Sequence, residues 1–306
     1  MIKTIFGLLG ASFLSVMTLA QDFKVLSSQG NNVFQKTKQR IWAGTTLKTS
    51  DVITVAQGGY LGLMHTKTGK TIEVKKAGNY LMSNLVPKTT GSSLVAKYGS
   101  YVSEEMTKIE KQDINKNHRK YMAVTGAVTR ERAIGVQKTI TFLAQTNETI
   151  FNSTATIQWL PDEAMPNAKY YVLVSNLEGE QVAWYETDQT ALSIDFAYLK
   201  RGKNGKADFL VTVTSVQNPN LKNTINVSLL NSNEYDNIKK ELGDFKPENA
   251  LDYMLLAKFF EDKKLNLDAL ACYQKALALN NSEHYKTAYM EFLVRNKMGY
   301  TYEEEK

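Results

Sequence analysis

The sequence predicts a multidomain, mainly β protein with added α-helix. Three observations support this prediction. Short β-branched and aromatic runs, separated by glycine turns about every ten residues, fill 22–87 and recur over 141–232. Apolar residues at helical spacing follow in 233–306. With 306 residues, the chain is long enough to build two or three separate cores.

The first twenty residues have the layout of a secretory signal peptide. One positive charge at Lys3 precedes an uncharged apolar run over 4–17, and small residues end at Ala20. The run is shorter than a comfortable membrane span, and an N-terminal anchor helix is the alternative reading. The single cysteine, Cys272, allows no internal disulfide, which fits a bacterial envelope protein better than a disulfide-rich ectodomain. We therefore expect an exported protein, periplasmic or at the cell surface, that is not an integral membrane protein after signal cleavage.

Charge is divided unevenly along the chain. Residues 22–140 carry 19 Lys and Arg against 8 Asp and Glu, whereas residues 141–306 carry 17 against 23. A basic half exposed in the envelope has two readings: attraction to an anionic polymer or lipid head groups, or an evenly solvated surface. Export makes nucleic acid a poor partner.

The segment 22–87 is predicted to be a small β domain. The segment Gly44–Thr54 begins with a glycine-leucine turn. An alternating strand follows over Gly59–Met64. The segment Thr68–Val74 then contains a glycine turn and a further strand. Over residues 24–80 this pattern resembles the β domain of the FecR-like family. The resemblance implies a periplasmic module. The signalling role of some members does not carry over, because no membrane helix follows in this chain.

Gly69-Lys70-Thr71 also ends the phosphate-binding loop of many nucleotide-binding proteins. That loop needs a glycine five residues before Gly69, where this chain has Met64, and it must open a helix. Here Thr71 begins an apparent strand. The three residues therefore predict the turn of a β-hairpin, with Gly69 supplying a positive φ.

Residues 88–140 are predicted to form a helix and a connecting segment. Helical spacing over 92–115 indicates the helix, which Gly99 weakens. A polar connection at 115–120 and a strand at 121–128 would follow. The apolar positions of the helix are Leu94, Tyr98, Tyr101, Val102, Met106 and Ile109.

The segment 141–232 is predicted to be an antiparallel β-sandwich of six or seven strands. Trp159 ends one strand, and a strand of alternating Tyr and Val follows at 168–174. Over 151–231 this resembles the fibronectin type III or immunoglobulin-like fold. Phe209 stands where such folds often have a tyrosine, which is a departure from their pattern.

The segment 233–306 contains a helical hairpin with a following, capping helix. Tyr253-x2-Leu256-Ala257-x2-Phe260 is followed by Ala269-x3-Tyr273-x2-Ala276-x4-Asn281. The spacing over residues 250–283 resembles the tetratricopeptide (TPR) repeat, with Asn281 in place of its closing proline. One such repeat is too few for a stable array, so we expect it to lean on the sandwich or on a partner.

The sequence contains no recognisable catalytic or metal-binding motif. The three histidines, His65, His118 and His284, fall in different predicted domains, and no Cys-x2-Cys or Ser nucleophile motif occurs. Cys272 lies between small residues and is expected to be a buried structural thiol. We expect no enzyme activity, no cofactor and no metal.

Two functions remain open from the sequence. The first is a non-enzymatic binding or scaffold protein of the bacterial envelope, which engages a protein or peptide through its TPR-like helices and β modules. The second is binding or hydrolysis of an anionic envelope glycan by the basic N-terminal half. In TPR proteins the first helix lines the groove, which here implies four partner-binding residues: Asp252, Leu255, Lys258 and Phe259.

Overall fold

A computed structural model describes residues 22–88, 93–111, 139–161, 167–202 and 206–299. The predicted signal peptide at 1–20, most of the connecting segment and the predicted strand at 121–128 lie outside these ranges. Within them the fold combines several β-sheets with five helices, and helix and strand each account for about a third of the described residues. This agrees with the predicted mixture of β and α structure.

The N-terminal β unit, residues 22–88, has two sheets. One has the order β3-β1-β5-β6 and the other the order β2-β4-β7, and every pair in them is antiparallel. Side chains from both sheets form one apolar core around Phe23, Ile41 and Ile53. The strands are β1 Phe23–Gln29, β2 Val33–Phe34, β3 Thr46–Leu47, β4 Val52–Val55, β5 Tyr60–His65, β6 Lys70–Val74 and β7 Gly78–Leu81.

The Gly69-Lys70-Thr71 stretch is the β-hairpin turn that the sequence predicts. β5 ends at His65, β6 begins at Lys70, and Gly69 has φ +65°. The Gly69 backbone N–H donates to the His65 carbonyl at 2.8 Å, closing the turn. A left-handed φ of this kind costs glycine little and most other residues more.

Strand β5 is buried along its whole length because both of its faces are covered. Leu61 and Leu63 enter the core of the N-terminal unit. Tyr60 and Met64 point the other way, into the core that the helices build. Helix α1 (Ser93–Lys111) covers this second face.

Gly99 lies where α1 comes closest to the sheet. A Cβ atom at this position would stand 2.6 Å from Met64 Sδ, so an added methyl group would have to displace that side chain. From the sequence, Gly99 is expected to weaken the helix. The structure shows why glycine suits this position: the missing side chain lets the helix approach the strand. The predicted positions 112–115 of this helix lie outside the described residues.

The central β unit, residues 139–230, has a five-stranded sheet of order β11-β10-β13-β14-β8 and a two-stranded sheet of order β12-β9. The two sheets share a core in which Trp159 contacts Tyr170 edge-on at 5.3 Å and Phe196 lies 5.6 Å from Phe209. β14 and β8 pair in parallel, which departs from the antiparallel prediction. The strands are β8 Asn147–Ile150, β9 Thr154–Gln158, β10 Tyr170–Asn176, β11 Gln181–Thr187, β12 Ala191–Asp195, β13 Asp208–Ser215 and β14 Lys222–Leu229.

The helical unit, residues 232–299, consists of α2 Ser232–Leu242, α3 Ala250–Asp262, α4 Asn266–Leu279 and α5 Glu283–Arg295. The small residues Ala257, Ala269 and Ala276 are fully buried, as close packing of α3 on α4 requires. Ser282 precedes α5 but does not cap it. Its hydroxyl accepts a hydrogen bond from Gln29 Nε2 at 2.7 Å, which ties the helix to β1.

The helical unit leans on both β units, in line with the expectation that one repeat cannot stand alone. Tyr285 on α5 and Tyr60 on β5 meet through their hydroxyl groups at 2.9 Å. On the other side, Asp268 in the first turn of α4 accepts from the backbone N–H groups of Phe151 and Asn152 at 2.8 and 3.1 Å. One apolar core therefore runs from β5 through the helices into the central unit.

Candidate binding surfaces

The four residues predicted to bind a partner lie on α3, inside the molecule. Asp252, Leu255 and Phe259 are buried, and Lys258 is partly buried. Each of them except Leu255 has an identified contact with β6 or α1 of the same chain, and Leu255 belongs to the common core.

Asp252 joins α3 to the end of the β5–β6 turn. Its Oδ1 accepts from the Thr71 hydroxyl at 2.5 Å, and its Oδ2 accepts from the Glu248 backbone N–H and from Asn249 Nδ2, each at 3.0 Å. Burial raises the pKa of Asp252, although these hydrogen bonds oppose the rise. The carboxylate is fully engaged in holding two elements together.

Phe259 and Lys258 face α1. The Phe259 ring meets the Tyr98 ring edge-on at 6.0 Å, and Lys258 Nζ lies 4.0 Å from the centre of the Tyr101 ring. Lys258 also pairs with Asp262 one turn further along α3, at 2.7 Å. Both side chains are therefore occupied by the chain's own helix.

An ionic network fixes α1 against the helical unit. Arg295 on α5 donates to Glu105 on α1 at 2.7 Å and to both carboxylate oxygens of Glu261 on α3 at 3.0 and 3.2 Å. Burial raises the pKa of Glu261, but the hydrogen bonds and charge of Arg295 outweigh it and the net pKa is lowered. Three helices thus meet at one guanidinium group, whose planar fork suits two carboxylates at once.

This geometry corrects the expectation that α3 presents an open groove. Helix α1 and strand β6 cover these positions of α3, so Asp252, Leu255, Lys258 and Phe259 form an internal interface. A partner can reach Phe259 only after α1 has moved. The apolar period of α1 was visible in the sequence, but its packing partner, about 150 residues away, was not.

A cleft of about 510 Å³ lies beside the Gly69-Lys70-Thr71 turn, bounded by the start of α1 and the end of α2. Its charges are mixed: Lys70, Lys240 and Lys246 face Glu241, Asp244 and Glu248 across it. Lys70 Nζ is 3.3 Å from Glu248 Oε1. Because basic and acidic side chains line the cleft together, it offers no concentrated positive field for a phosphate group.

His65 and Cys272, whose side chains are of types that often react or bind metals, are both buried. His65 is buried at the end of β5, where its Nδ1 contacts the Thr68 hydroxyl at 2.9 Å, and burial lowers its pKa. Cys272 is buried, as expected, and burial raises the pKa of its thiol to about 12. Among the residues that the structure describes, no cluster of three or more His, Cys, Asp or Glu side chains is arranged to hold a metal ion.

No helix among the described residues is both long and apolar enough to cross a membrane.

The outer face of the five-stranded sheet carries an exposed aromatic pair. Tyr171 on β10 and Trp184 on β11 are 37% and 51% exposed, and their ring centres lie 5.3 Å apart. Leu173, directly opposite Trp184 in the register, continues the apolar surface. We call this surface the aromatic face. Exposed aromatic rings that touch one another concentrate apolar area at a single place.

Strand β11 adds an open sheet edge beside the aromatic face. It stands at the end of the five-stranded order and, in the described chain, pairs only with β10. Its seven residues contain no Lys and no Pro, the residues with which natural sheets often protect an edge. The exposed backbone N–H and C=O groups of such an edge can accept a further strand.

This surface was not predicted from the sequence, although the sequence contains a signal for it. Side chains alternate between the two faces of a strand, so Tyr170-Tyr171 and Trp184-Tyr185 must each place one ring on either face. Tyr170 fills the core and Tyr171 is left outside. Adjacent aromatic residues in a strand with one solvated face therefore indicate an exposed ring.

A scan against models of protein families and a search among curated proteins both find no match for this chain.

Proposed function

We propose that the protein is a non-enzymatic binding or scaffold protein of the bacterial envelope, and that it engages a protein partner through the aromatic face and the β11 edge. The exposed Tyr171–Trp184 pair beside an open strand edge is the observation that carries the proposal. An extended segment of a partner would add to β11 by backbone hydrogen bonds and rest its side chains on Trp184.

The module resemblances support the same class of function. A FecR-like β domain at 22–87, a fibronectin type III or immunoglobulin-like sandwich at 141–232 and a TPR-like unit at 233–306 are modules that commonly bind other molecules. The signal-like N-terminus supports export to the periplasm or cell surface.

The helical unit has a different role in this proposal from the one that its sequence suggests. It serves as the hub that holds the two β units in place. Helix α1 covers one face of its helix α3, and hydrogen bonds join α5 to β5 and α4 to the turn at residues 151–152. The binding surface then lies on the central unit, which the hub presents to a partner.

Affinity purification from the native cell with quantitative mass spectrometry tests the proposal. We expect at least one protein to co-purify with the wild-type chain and to be lost with a Tyr171→Ser, Trp184→Ser variant. Tyr198→Ser is the matched control, because Tyr198 is 88% exposed and lies outside the aromatic face. A set of co-purified proteins unchanged by the double variant would contradict the proposal.

A further inference from the structure

A second exposed surface lies on the N-terminal β unit, at residues 35–42, which we call the cationic hairpin. The Phe34 backbone N–H donates to the Gln39 carbonyl at 2.9 Å, and the Lys38 N–H donates to the Phe34 carbonyl at 2.9 Å, so the chain reverses within four residues. All residues from 35 to 40 are exposed. The hairpin is therefore a solvent-exposed turn.

The returning arm of the hairpin separates its apolar and charged side chains. Ile41 points inward and is fully buried in the core of the N-terminal unit. Its neighbours on either side, Arg40 and Trp42, are exposed, and Lys38 is exposed in the turn itself, where it has φ +59°. The buried Ile41 side chain anchors the arm, and the exposed side chains face the surroundings of the protein.

The cationic hairpin has no carboxylate to balance it. Between Asp22 and Asp51 the sequence contains five basic residues and no acidic one. Those two carboxylates are engaged elsewhere: Asp22 pairs with Lys67 at 2.8 Å, and Asp51 accepts from the Lys48 backbone N–H at 2.8 Å. Among the described residues no ion pair joins a carboxylate to a basic side chain of the hairpin. The five basic residues between Asp22 and Asp51 are Lys24, Lys36, Lys38, Arg40 and Lys48.

Trp42 completes the surface. It is 43% exposed, and the Arg40 guanidinium lies over its ring at 3.8 Å from the centre. A sugar ring needs an open indole face for stacking, and one face here is already covered by the cation. A half-exposed indole with a cation over one face, beside an exposed basic turn, is instead suited to the head-group layer of a membrane, where the ring enters the interface and the cations meet phosphates.

We propose that the cationic hairpin binds an anionic lipid surface through Lys36, Lys38 and Arg40, with Trp42 entering the head-group layer. Charge complementarity selects the occupant: three cations with no balancing carboxylate meet a layer of lipid phosphates. This contact is peripheral, and it does not depend on the aromatic face of the central unit. It would hold the N-terminal unit against a membrane while β11 remains open to a partner.

Co-sedimentation with vesicles tests the charge part of the proposal. The vesicles contain phosphatidylcholine with or without phosphatidylglycerol, and we expect binding only with the anionic lipid, reversed by high salt. Each lost cation should weaken binding about fivefold, so that Lys36→Gln, Lys38→Gln weakens it about 25-fold. Lys239→Gln, Lys240→Gln on α2 removes the same charge from another exposed site and should leave binding unchanged.

Tryptophan fluorescence tests the position of the contact. The chain has three tryptophans, of which Trp159 is buried and Trp184 lies on the central unit. We expect a blue shift of the emission on anionic vesicles that Trp42→Phe abolishes and Trp184→Phe retains. Because Trp42 is half exposed, its variant should fold, which near-ultraviolet circular dichroism verifies.

Three outcomes would overturn the proposal. The first is equal loss of binding in both lysine pairs, which would indicate diffuse net charge. The second is a blue shift that survives Trp42→Phe. The third is binding to a soluble anionic polysaccharide without binding to the vesicles.

Discussion

Glu148 shows how a single buried carboxyl group can set the pH dependence of stability. It is 2% exposed on β8, its Oε1 accepts from the Gln145 backbone N–H at 2.7 Å, and its Oε2 has no hydrogen-bond partner among the described residues. Burial raises the pKa of Glu148 to about 7, with a small contribution from the charge of Asp268. The Asn266 side chain lies beside it with an unpartnered Oδ1.

We predict that Glu148→Gln stabilises the protein at pH 8 and has little effect near pH 4.5. The folded protein keeps the proton of Glu148 up to about pH 7, whereas the unfolded chain releases it near pH 4.5. Wild-type stability therefore falls as the pH rises through this interval, by about 3 kcal/mol at roughly 1.4 kcal/mol for each pH unit. Glutamine removes that cost and places a donor near Asn266 Oδ1.

Urea unfolding of both proteins at pH 4.5, 6 and 8 measures this effect. A constant difference in the free energy of unfolding across the three pH values would contradict the assignment of the titration to Glu148.

At the scale of elements, α3 and α1 form the interface on which the rest depends. Phe259 is the largest side chain of α3 that is fully buried there, and it contacts rings on both helices, Tyr98 on α1 and Phe260 on α3. Its buried position predicts that Phe259 stabilises the fold, whereas the TPR resemblance predicts that it contacts a partner.

We predict that Phe259→Ala lowers the free energy of unfolding by about 3–5 kcal/mol, because truncating a buried phenylalanine loses contacts and leaves a cavity. Leu279→Ala, at an exposed position near the end of α4, is the control and should change stability by less than about 0.5 kcal/mol. Denaturant unfolding measures both. A Phe259→Ala variant of wild-type stability would mean that this face of α3 is open to solvent.

The sequence was informative about elements to the extent that local apolar patterns define them. Strands such as β5 and β13 and the pairing of α3 with α4 follow from period and spacing. The short strands β3, β7 and β8 were not predicted, because Thr46–Leu47, Gly78–Leu81 and Asn147–Ile150 lack a run of β-forming residues and are held by their neighbours.

The candidate site was less predictable than the fold. Asp252 and Lys258 are polar, and polar residues on a helix usually indicate a solvated face. Their partners, Thr71 and Tyr101, lie 181 and 157 positions earlier in the chain and cannot be inferred from local pattern. Polar residues that satisfy one another across an interface look the same in sequence as polar residues that face water.

At the scale of the whole molecule, one apolar core joins parts of all three units. Met64 from the N-terminal unit, Phe259 from the helical unit and Trp159 from the central unit belong to the same contiguous cluster. Residues that share a core lose their contacts together, so the units are expected to unfold as one.

We predict a single unfolding transition that coincides by two probes. Far-ultraviolet circular dichroism reports the helices, and tryptophan fluorescence reports the two β units. Phe259→Ala should shift both curves together. Two separated transitions, or a shift of the circular dichroism curve alone, would show that the units are stable independently.

In the proposed arrangement the aromatic face meets a partner, whereas the face of α3 is internal. Site-specific photo-cross-linking in the native cell tests both halves, with the photoreactive residue placed at position 184 in one strain and at 258 in another. We predict that position 184 cross-links to a second protein and that position 258 cross-links within the chain, to the 98–105 segment of α1. A cross-link from 258 to another protein, with none from 184, would contradict it.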